Sequence, residues 1–583
     1  MKYLLQILRV FNFLISISVV GTLIYFHGYK YSPNHLHGHL TYLHVCLGFY
    51  LIQFGIKLIV SDNWKEYIND NLVEFYILLG LVSSMSINWL MDFSISQWLL
   101  SFTGIHEINH LYILFLHVWV LIIVAIELGK VATKHTIWKL SPPWLFIISF
   151  IVLIVIGSSL FMLPEMTTNG EGMEFSKALF TSVSANCVTG LTLIDVATYF
   201  TIKGKILLLI LIQLGGLNII SFATFFISKY HKVITSCRSD ETVKEVLHTK
   251  SLEGEATKNM LRKVIYTTLI IEFIGALALY NFWDKTISFT SNFDKVFYSV
   301  FHSVSAFNNA GFTLFSDGLT NNSIVINYSV HIIIAILIVL GGLGFTTLWD
   351  ITKLKAVFNE KVNRSPFRKS SMVAIVTSLV LIIGGTFFYI WLEGNTSLQN
   401  HSEYGKYVTA FFQSVTARTA GFNTTDIGSL SIPILIMLIL WMFIGASSGS
   451  TGGGIKTSTL YVLILSLWEK IRGKSTQLSQ MIRDLFKKAI TILIYSLILV
   501  FIGTLMLFLS DGDKEFLALL FEAVSAYGTV GLSTGITSEL SLTGQIVLMI
   551  LMFIGRIGPL ALAYTLIKGI EIQKDNHEGI MIG

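Results

Sequence analysis

FTSVSANCVTGLT (180–192), FHSVSAFNNAGFT (301–313), FFQSVTARTAGFN (411–423) and FEAVSAYGTVGLS (521–533) are four versions of one segment. Aligned without gaps they share Gly190, Gly311, Gly421 and Gly531, spaced 121, 110 and 110 residues apart. A phenylalanine stands ten residues before each glycine (Phe180, Phe301, Phe411, Phe521), and Leu or Phe follows each. Self-similarity at a long period means one structural unit used several times. Four copies in one chain can surround one axis, and one axis through a membrane is a pore.

The rest of the chain supplies the membrane. Its 583 residues are 53% hydrophobic and 13% charged, with a mean hydropathy of +0.70, whereas soluble domains carry about 25% charged residues. The class is therefore a polytopic, all-α membrane protein, whose surroundings are the lipid bilayer. A net charge of +5 does not indicate a nucleic-acid partner, because the basic residues sit in short loops between apolar runs, as orientation signals do. Cys46, Cys187 and Cys237 lie far apart and form no paired framework. The opening MKYLLQILRVFNFLISISVV lacks a small-residue cleavage site and reads as a retained first span.

A spanning helix needs about 20 mostly apolar residues. Four such runs precede the repeats, near 5–26, 42–60, 72–90 and 110–128. The repeats add eight more, near 144–163 and 204–227, 264–283 and 325–349, 370–393 and 430–467, and 488–510 and 541–568. Within each pair, the dozen residues before the glycine are too short to span and too apolar for a free loop, so they predict a half-helix that dips in and returns. Stretch 229–263 carries eight Lys and Arg, 353–369 six and 470–488 six, while 91–109 carries none. The inter-repeat loops and both termini are thus expected in the cytoplasm, with the glycine segments entering from outside.

Non-helical backbone survives in the bilayer only where it lines a cavity or is buried in protein. A short helix followed by an extended stretch ending at glycine turns carbonyls toward a common axis. Such oxygens replace the hydration shell of a monovalent cation, and helix C-termini add negative dipole. Thr529-Val530-Gly531 opens like a potassium-channel filter; the other three segments do not. The phenylalanines and the Val/Ser/Ala runs read as packing. Asp195, Asp317 and Asp426 fit either an acidic vestibule that concentrates cations or solvated turns.

A second motif recurs in the later span of each repeat: Leu214-Gly215-Gly216-Leu217, Leu340-Gly341-Gly342-Leu343, Ile444-Gly445-Ala446-Ser447 and Ile554-Gly555-Arg556-Ile557. The third copy is the outlier, running on into GASSGSTGGGIKTS (445–458). A run of glycines and hydroxyls cannot continue as regular helix without cost, so this span alone is expected to break into a loop under the glycine segments. Ile455 separates Gly454 from Lys456 and no strand precedes the run, so it is not a nucleotide-binding phosphate loop. Arg556 is an intramembrane charge, either lending positive charge at the constriction or belonging to a structural ion pair.

With these features in place, VTARTAGFN (415–423), AFNNAGF (306–312), GSTGGGIKTS (449–458), the Arg556 span and LSPPWLFIISF (140–150) resemble the Trk/Ktr/HKT superfamily of potassium transporters. The resemblance covers about 140–570. It implies four pseudo-symmetric helix–pore-loop–helix units around one pore, at 140–228, 229–350, 351–467 and 468–583. It also implies a homodimer and a cytosolic ring of nucleotide-binding regulatory subunits at the plasma membrane. The selectivity filter then falls on Val188, Thr189 and Gly190, on Asn309, Ala310 and Gly311, on Thr419, Ala420 and Gly421, and on Thr529, Val530 and Gly531. Potassium is held by their backbone carbonyls, with no organic cofactor. The gate falls on Gly449, Ser450, Thr451, Gly452, Gly453 and Gly454, beside Lys456 and Arg556. Sodium-preferring plant members carry serine for the first filter glycine, so Gly190 favours potassium over a sodium-conducting or sodium/potassium-coupled alternative. The chain departs from the pattern in its four N-terminal spans (1–139) and in Cys187 before the first filter segment.

Residues 1–139 are rich in histidine (His27, His35, His37, His39, His44, His106, His110, His117). His106 and His110 would share a helix face, which leaves open a haem-binding membrane oxidoreductase. That alternative gives no account of four filter segments.

Overall fold

The computed structural model describes residues 2–30, 33–61, 64–72, 75–76, 78–80, 142–217, 246–284, 287, 289–352, 368–472 and 480–558. All regular structure among them is helical, as expected where lipid leaves each backbone polar group to find its partner within the chain. The chain forms two compact units, one of Met1–Leu140 with Leu163–Glu165, the other of Ser141–Met162 with Met166–Gly583.

In the first unit, α1 (Lys2–Gly28), α2 (Pro33–Val60) and α3 (Trp64–Asp70) pack along a seam that buries Val19, Leu23, Leu43, Leu47 and Tyr50. Hydroxyl pairs Ser16–Tyr50 (2.8 Å) and Ser18–Tyr42 (2.6 Å) tie α1 to α2. The expected spans 5–26 and 42–60 lie within these helices. Span 110–128, most of 72–90, and His106, His110 and His117 lie outside the described residues. His39 stacks on Phe26 with ring centroids 4.3 Å apart, an ordinary packing role.

The second unit repeats one order: a long helix, a short helix, an extended segment and a closing helix. The first repeat runs α4 (Pro142–Phe161), α5 (Phe175–Asn186) and α6 (202–217). The second runs α7 (Val246–Phe282), α8 (Asn292–Phe307), α9 (Tyr328–Leu343) and α10 (Phe345–Thr352). The third has α11 (Lys369–Glu393), α12 (Glu403–Thr416), α13 (Ile432–Phe443) and α14 (Thr457–Ile471). The fourth has α15 (Gln480–Ser510), α16 (Phe516–Gly528) and α17 (Leu542–Ile557). Side-chain caps fix several starts: Ser291 accepts from Asp294 N (3.1 Å), Ser402 from Gly405 N (3.1 Å) and Ser541 from Gly544 N (3.2 Å). The long helices turn large apolar residues outward, among them Phe273, Ile383 and Phe501, which suits lipid as solvent.

One expectation about the closing helices is corrected. The run 325–349 is not a single span: it breaks after Leu343, at Gly344 (φ +82°), where the axis turns by 105°. In the fourth repeat α17 ends at Gly558 (φ +86°), the same register relative to its double-glycine position. The third repeat breaks earlier, after Phe443, and resumes only at Thr457. Interruption is therefore not confined to the third copy. A lone glycine at a left-handed position suffices for it, and hydropathy does not register that.

Candidate functional site

Each short helix is clamped by hydroxyls in its last turns. Ser182, Ser303 and Ser414 donate to the carbonyls of Ile154, Glu272 and Ile382 in the long helix before them, at 2.8, 2.6 and 2.8 Å. Two residues later a second hydroxyl ties the helix end to its own extended segment. Ser184 and Ser525 accept from the amides of Gly190 and Gly531, both at 3.1 Å. Ser305 and Thr416 donate to the carbonyls of Phe312 and Phe422, at 2.8 and 2.7 Å.

These matching bonds set a register that differs from the ungapped alignment. From hydroxyl to glycine the count is six residues in repeats one, two and four, but five in repeat three (Thr416 to Gly421). The third counterpart of the buried Phe180, Phe301 and Phe521 is accordingly Phe412, which is fully buried, and not Phe411, which is only partly so. The pair of adjacent phenylalanines hid the missing residue.

Beyond the helices the four segments share one backbone. Val188, Asn309, Thr419 and Thr529 are left-handed (φ 54°, 59°, 75° and 49°), as are Gly190, Gly311, Gly421 and Gly531 two residues on (φ 94°, 69°, 77° and 94°). Left-handed residues alternating with ordinary ones turn successive carbonyls to the same side. Four non-glycine residues hold a conformation that costs about 1–2 kcal/mol each, which requires firm clamping by their surroundings. The glycines also meet one another. A Cβ on Gly190 would overlap the Ala310 carbonyl, one on Gly311 the Ala420 carbonyl, one on Gly421 the Val530 carbonyl, and one on Gly531 the Thr189 carbonyl. The segments thus form a closed ring in chain order, the last against the first.

On one side of the ring lies a cavity of about 390 Å³ lined by the four glycines and by Asp195, Asp317 and Asp426. Two of the aspartates also cap turns: Asp195 accepts from Ala197 N (2.9 Å) and Ser316 Oγ (2.7 Å), and Asp426 from Gly428 N (3.1 Å). All three aspartates thus line the cavity, and Asp195 and Asp426 serve as turn caps as well.

On the other side lies the loop 444–456. Gly215, Gly341 and Gly555 allow their helices to press against the terminal carbonyls of the short helices, at Asn186, Phe307 and Tyr527. The third counterpart, Gly445, packs instead on the loop's own Gly453 and donates to Ile455 O (2.8 Å). The loop is held by the second, third and fourth repeats. Ser447 N donates to Gly342 O (3.0 Å), Thr451 Oγ1 to Gly341 O (3.2 Å) and Gly453 N to Thr529 Oγ1 (3.0 Å), while Gly452 sits against Thr419. Lys456 Nζ donates within the loop to Gly452 O (2.6 Å). Arg556 donates to Thr451 O of the loop and to Gly215 O of the first repeat (3.0 Å). Its partners are backbone carbonyls, and among the described residues it forms no ion pair.

Sequence reasoning passed over several buried polar groups behind the ring. Glu522 accepts from Ser533 Oγ (2.6 Å), Thr534 N (3.0 Å) and Thr537 Oγ1 (2.7 Å), bracing the chain beyond Gly531. Arg418 donates to Ser378 Oγ (3.1 Å). Glu272 meets Gln213 and Asn308. The signal for each was its charge inside an apolar run.

Helices of membrane length, with interrupted backbone buried between them in a ring of four glycine segments, define a helical membrane transporter. The family model described as TrkH, cation transport protein, matches residues 110–578, and the chain belongs to this family, within the Trk/Ktr potassium transporters. It is 35% identical to Ktr system potassium uptake protein B of Bacillus subtilis over 433 residues, covering 74% of this chain and 94% of that one. It is 33% identical to the potassium/sodium uptake protein NtpJ of Enterococcus hirae, covering 76% and 98%. The crystal structure of the potassium transporter TrkH from Vibrio parahaemolyticus shares the fold, with a TM-score of 0.58 at 16% identity, over 86% of this chain and 97% of that one.

Proposed function

We propose that this chain takes up potassium through a selectivity filter formed by the four glycine segments, with the loop 445–458 as its gate. The observation that carries the reading is the ring closed by Gly190, Gly311, Gly421 and Gly531, each packed on the next segment's carbonyl. Its backbone oxygens are the hard, neutral ligands that replace water around a monovalent cation. Val188, Thr189, Asn309, Ala310, Thr419, Ala420, Thr529 and Val530 supply the remaining filter backbone. The relatives named for potassium uptake support K+ as the ion carried, as does glycine at all four ring positions. Gly449, Ser450, Thr451, Gly452, Gly453 and Gly454 obstruct the path on the far side of the ring, with Lys456 and Arg556 fixing the obstruction through its carbonyls. In this reading the protein is a homodimer in the plasma membrane with cytoplasmic termini, controlled by a cytosolic ring of nucleotide-binding subunits.

Flux of K+ and Na+ into liposomes containing the purified protein tests this. Saturable K+ entry, outcompeting Na+ and lost on bulky substitution at the ring glycines, is expected. Equal passage of both ions through the parent would overturn the filter assignment.

A further inference from the structure

Three polar side chains that the transport reading leaves unused meet between the first two repeats. Glu272, in the last third of α7 and 5% exposed, accepts from Asn308 Nδ2 at 3.0 Å and from Gln213 Nε2 at 3.2 Å. Asn308 Nδ2 also reaches Gln213 Oε1 and the Val304 carbonyl, both at 2.9 Å. Each of the three positions has counterparts in the other repeats. Glu272 corresponds to Ile154 and Ile382, the other long-helix residues that receive a short-helix serine. Glycine follows three residues later in each case (Gly157, Gly275, Gly385), and by that mark the fourth counterpart is Val500, before Gly503. Gln213 corresponds to Val339, Phe443 and Phe553, and Asn308 to Cys187, Arg418 and Gly528. Among these counterpart positions, a carboxylic acid with two amides is found only where repeats one and two adjoin.

We infer that Glu272 is a proton-binding site coupled through Asn308 to the second glycine segment. The hydrogen-bond inventory of the cluster points to the proton. Asn308 Nδ2 has two hydrogens for three acceptors within 3.0 Å, an ionised carboxylate only accepts, and Asn308 Oδ1, fully buried, has no donor. The cluster is short of donors. A proton on the carboxyl adds one and removes an uncompensated charge from the membrane interior, where ionised side chains are costly. The proton comes from water: one O–H bond forms on the carboxyl, and no other bond changes. The side chains that face Glu272 from the packed elements are Gln213 of α6 and Ser303 and Asn308 of α8, while α9 sets Leu337 against Gly275. None of these titrates. His302 of α8 is engaged with Tyr298 O and Leu314 N, and among the described residues no Lys, Arg or His forms an ion pair with Glu272. Asn308 immediately precedes Asn309, the left-handed residue of its segment. Loss of the proton leaves acceptors crowded around one amide, one residue away from the ring.

Infrared difference spectra of the full-length protein in lipid nanodiscs, parent against Glu272→Gln, test the site. The parent should show the carbonyl stretch of a buried protonated carboxylic acid at neutral pH, fading as pH rises, and the variant should lack that band. K+ flux into liposomes should vary with pH in the parent over the same range and lose that dependence in Glu272→Gln. A band that persists in the variant, or is absent from the parent at neutral pH, overturns the proton site. A band lost with the pH profile of flux retained overturns the coupling. Glu272→Met gives the same readouts should the glutamine variant not fold. The flux arm rests on the transport reading and the infrared arm does not, so a parent that shows the band yet carries no K+ fails that reading and not this one.

Discussion

Arg556 in the last helix of the fourth repeat donates to the carbonyl of Thr451, in the loop of the third, and with its other terminal nitrogen to Gly215 of the first. One guanidinium thereby ties the loop to the first repeat. Hydrogen bonds from charged groups contribute about 1.5–3 kcal/mol each, so the Arg556–Thr451 bond is a principal restraint on the loop. Arg556→Gln should raise K+ flux or lower the K+ concentration for half-maximal uptake, by roughly tenfold for each 1.4 kcal/mol of closed-state stabilisation removed. Rubidium uptake by liposomes, at several K+ concentrations, measures both. A folded variant with the parent's flux throughout would make the residue structural.

Among the described residues, Lys456 holds only its own loop, through Gly452 O. Lys456→Met should therefore shift flux in the same direction as Arg556→Gln but by less. The same uptake assay, with the two variants side by side, decides the order.

Shortening the loop within Ser450–Gly454 removes the backbone that reaches Thr419 and Thr529. Flux should rise and its control weaken. Single-channel or tracer recordings showing parent-like conduction from a folded deletion variant would remove the loop from the gate.

Gly190→Ser places a side chain at φ +94° against the Ala310 carbonyl. The strain, about 1–3 kcal/mol, falls on the second segment's oxygen as much as on the first. K+/Na+ preference should drop, and a bacterium lacking potassium uptake should grow more slowly on it at low K+. Unchanged preference in a flux assay would count against the filter role of this segment.

The corrected register makes a stability prediction. Phe412→Ala should destabilise by about 3–5 kcal/mol, as for other fully buried phenylalanines, and Phe411→Ala by clearly less. Thermal unfolding followed by tryptophan fluorescence in detergent compares them; equal losses would restore the ungapped alignment.

The glycine period and the break in 445–458 were legible because both are local patterns of residue type. The one-residue deletion in repeat three was not, since Phe411 and Phe412 are adjacent and either satisfies an ungapped match. Nor was the bend at Gly344, where a single left-handed glycine acts inside an unbroken apolar run. The Gln213–Glu272–Asn308 cluster joins residues 59 and 36 positions apart, and no spacing rule links them. An internal alignment that allowed one gap, then asked where polar residues replace apolar counterparts, would have found the shift, Gln213 and Glu272.

The ring closes within one polypeptide, Gly531 against the segment of Gly190. In an assembly of four identical chains, every substitution would appear four times around the axis. Here each quadrant mutates alone, so an acid can settle in the second, a long loop in the third and an arginine in the fourth without being copied into the rest. Covalent linkage of the four quarters is what allows a nearly symmetric ring to acquire asymmetric surroundings.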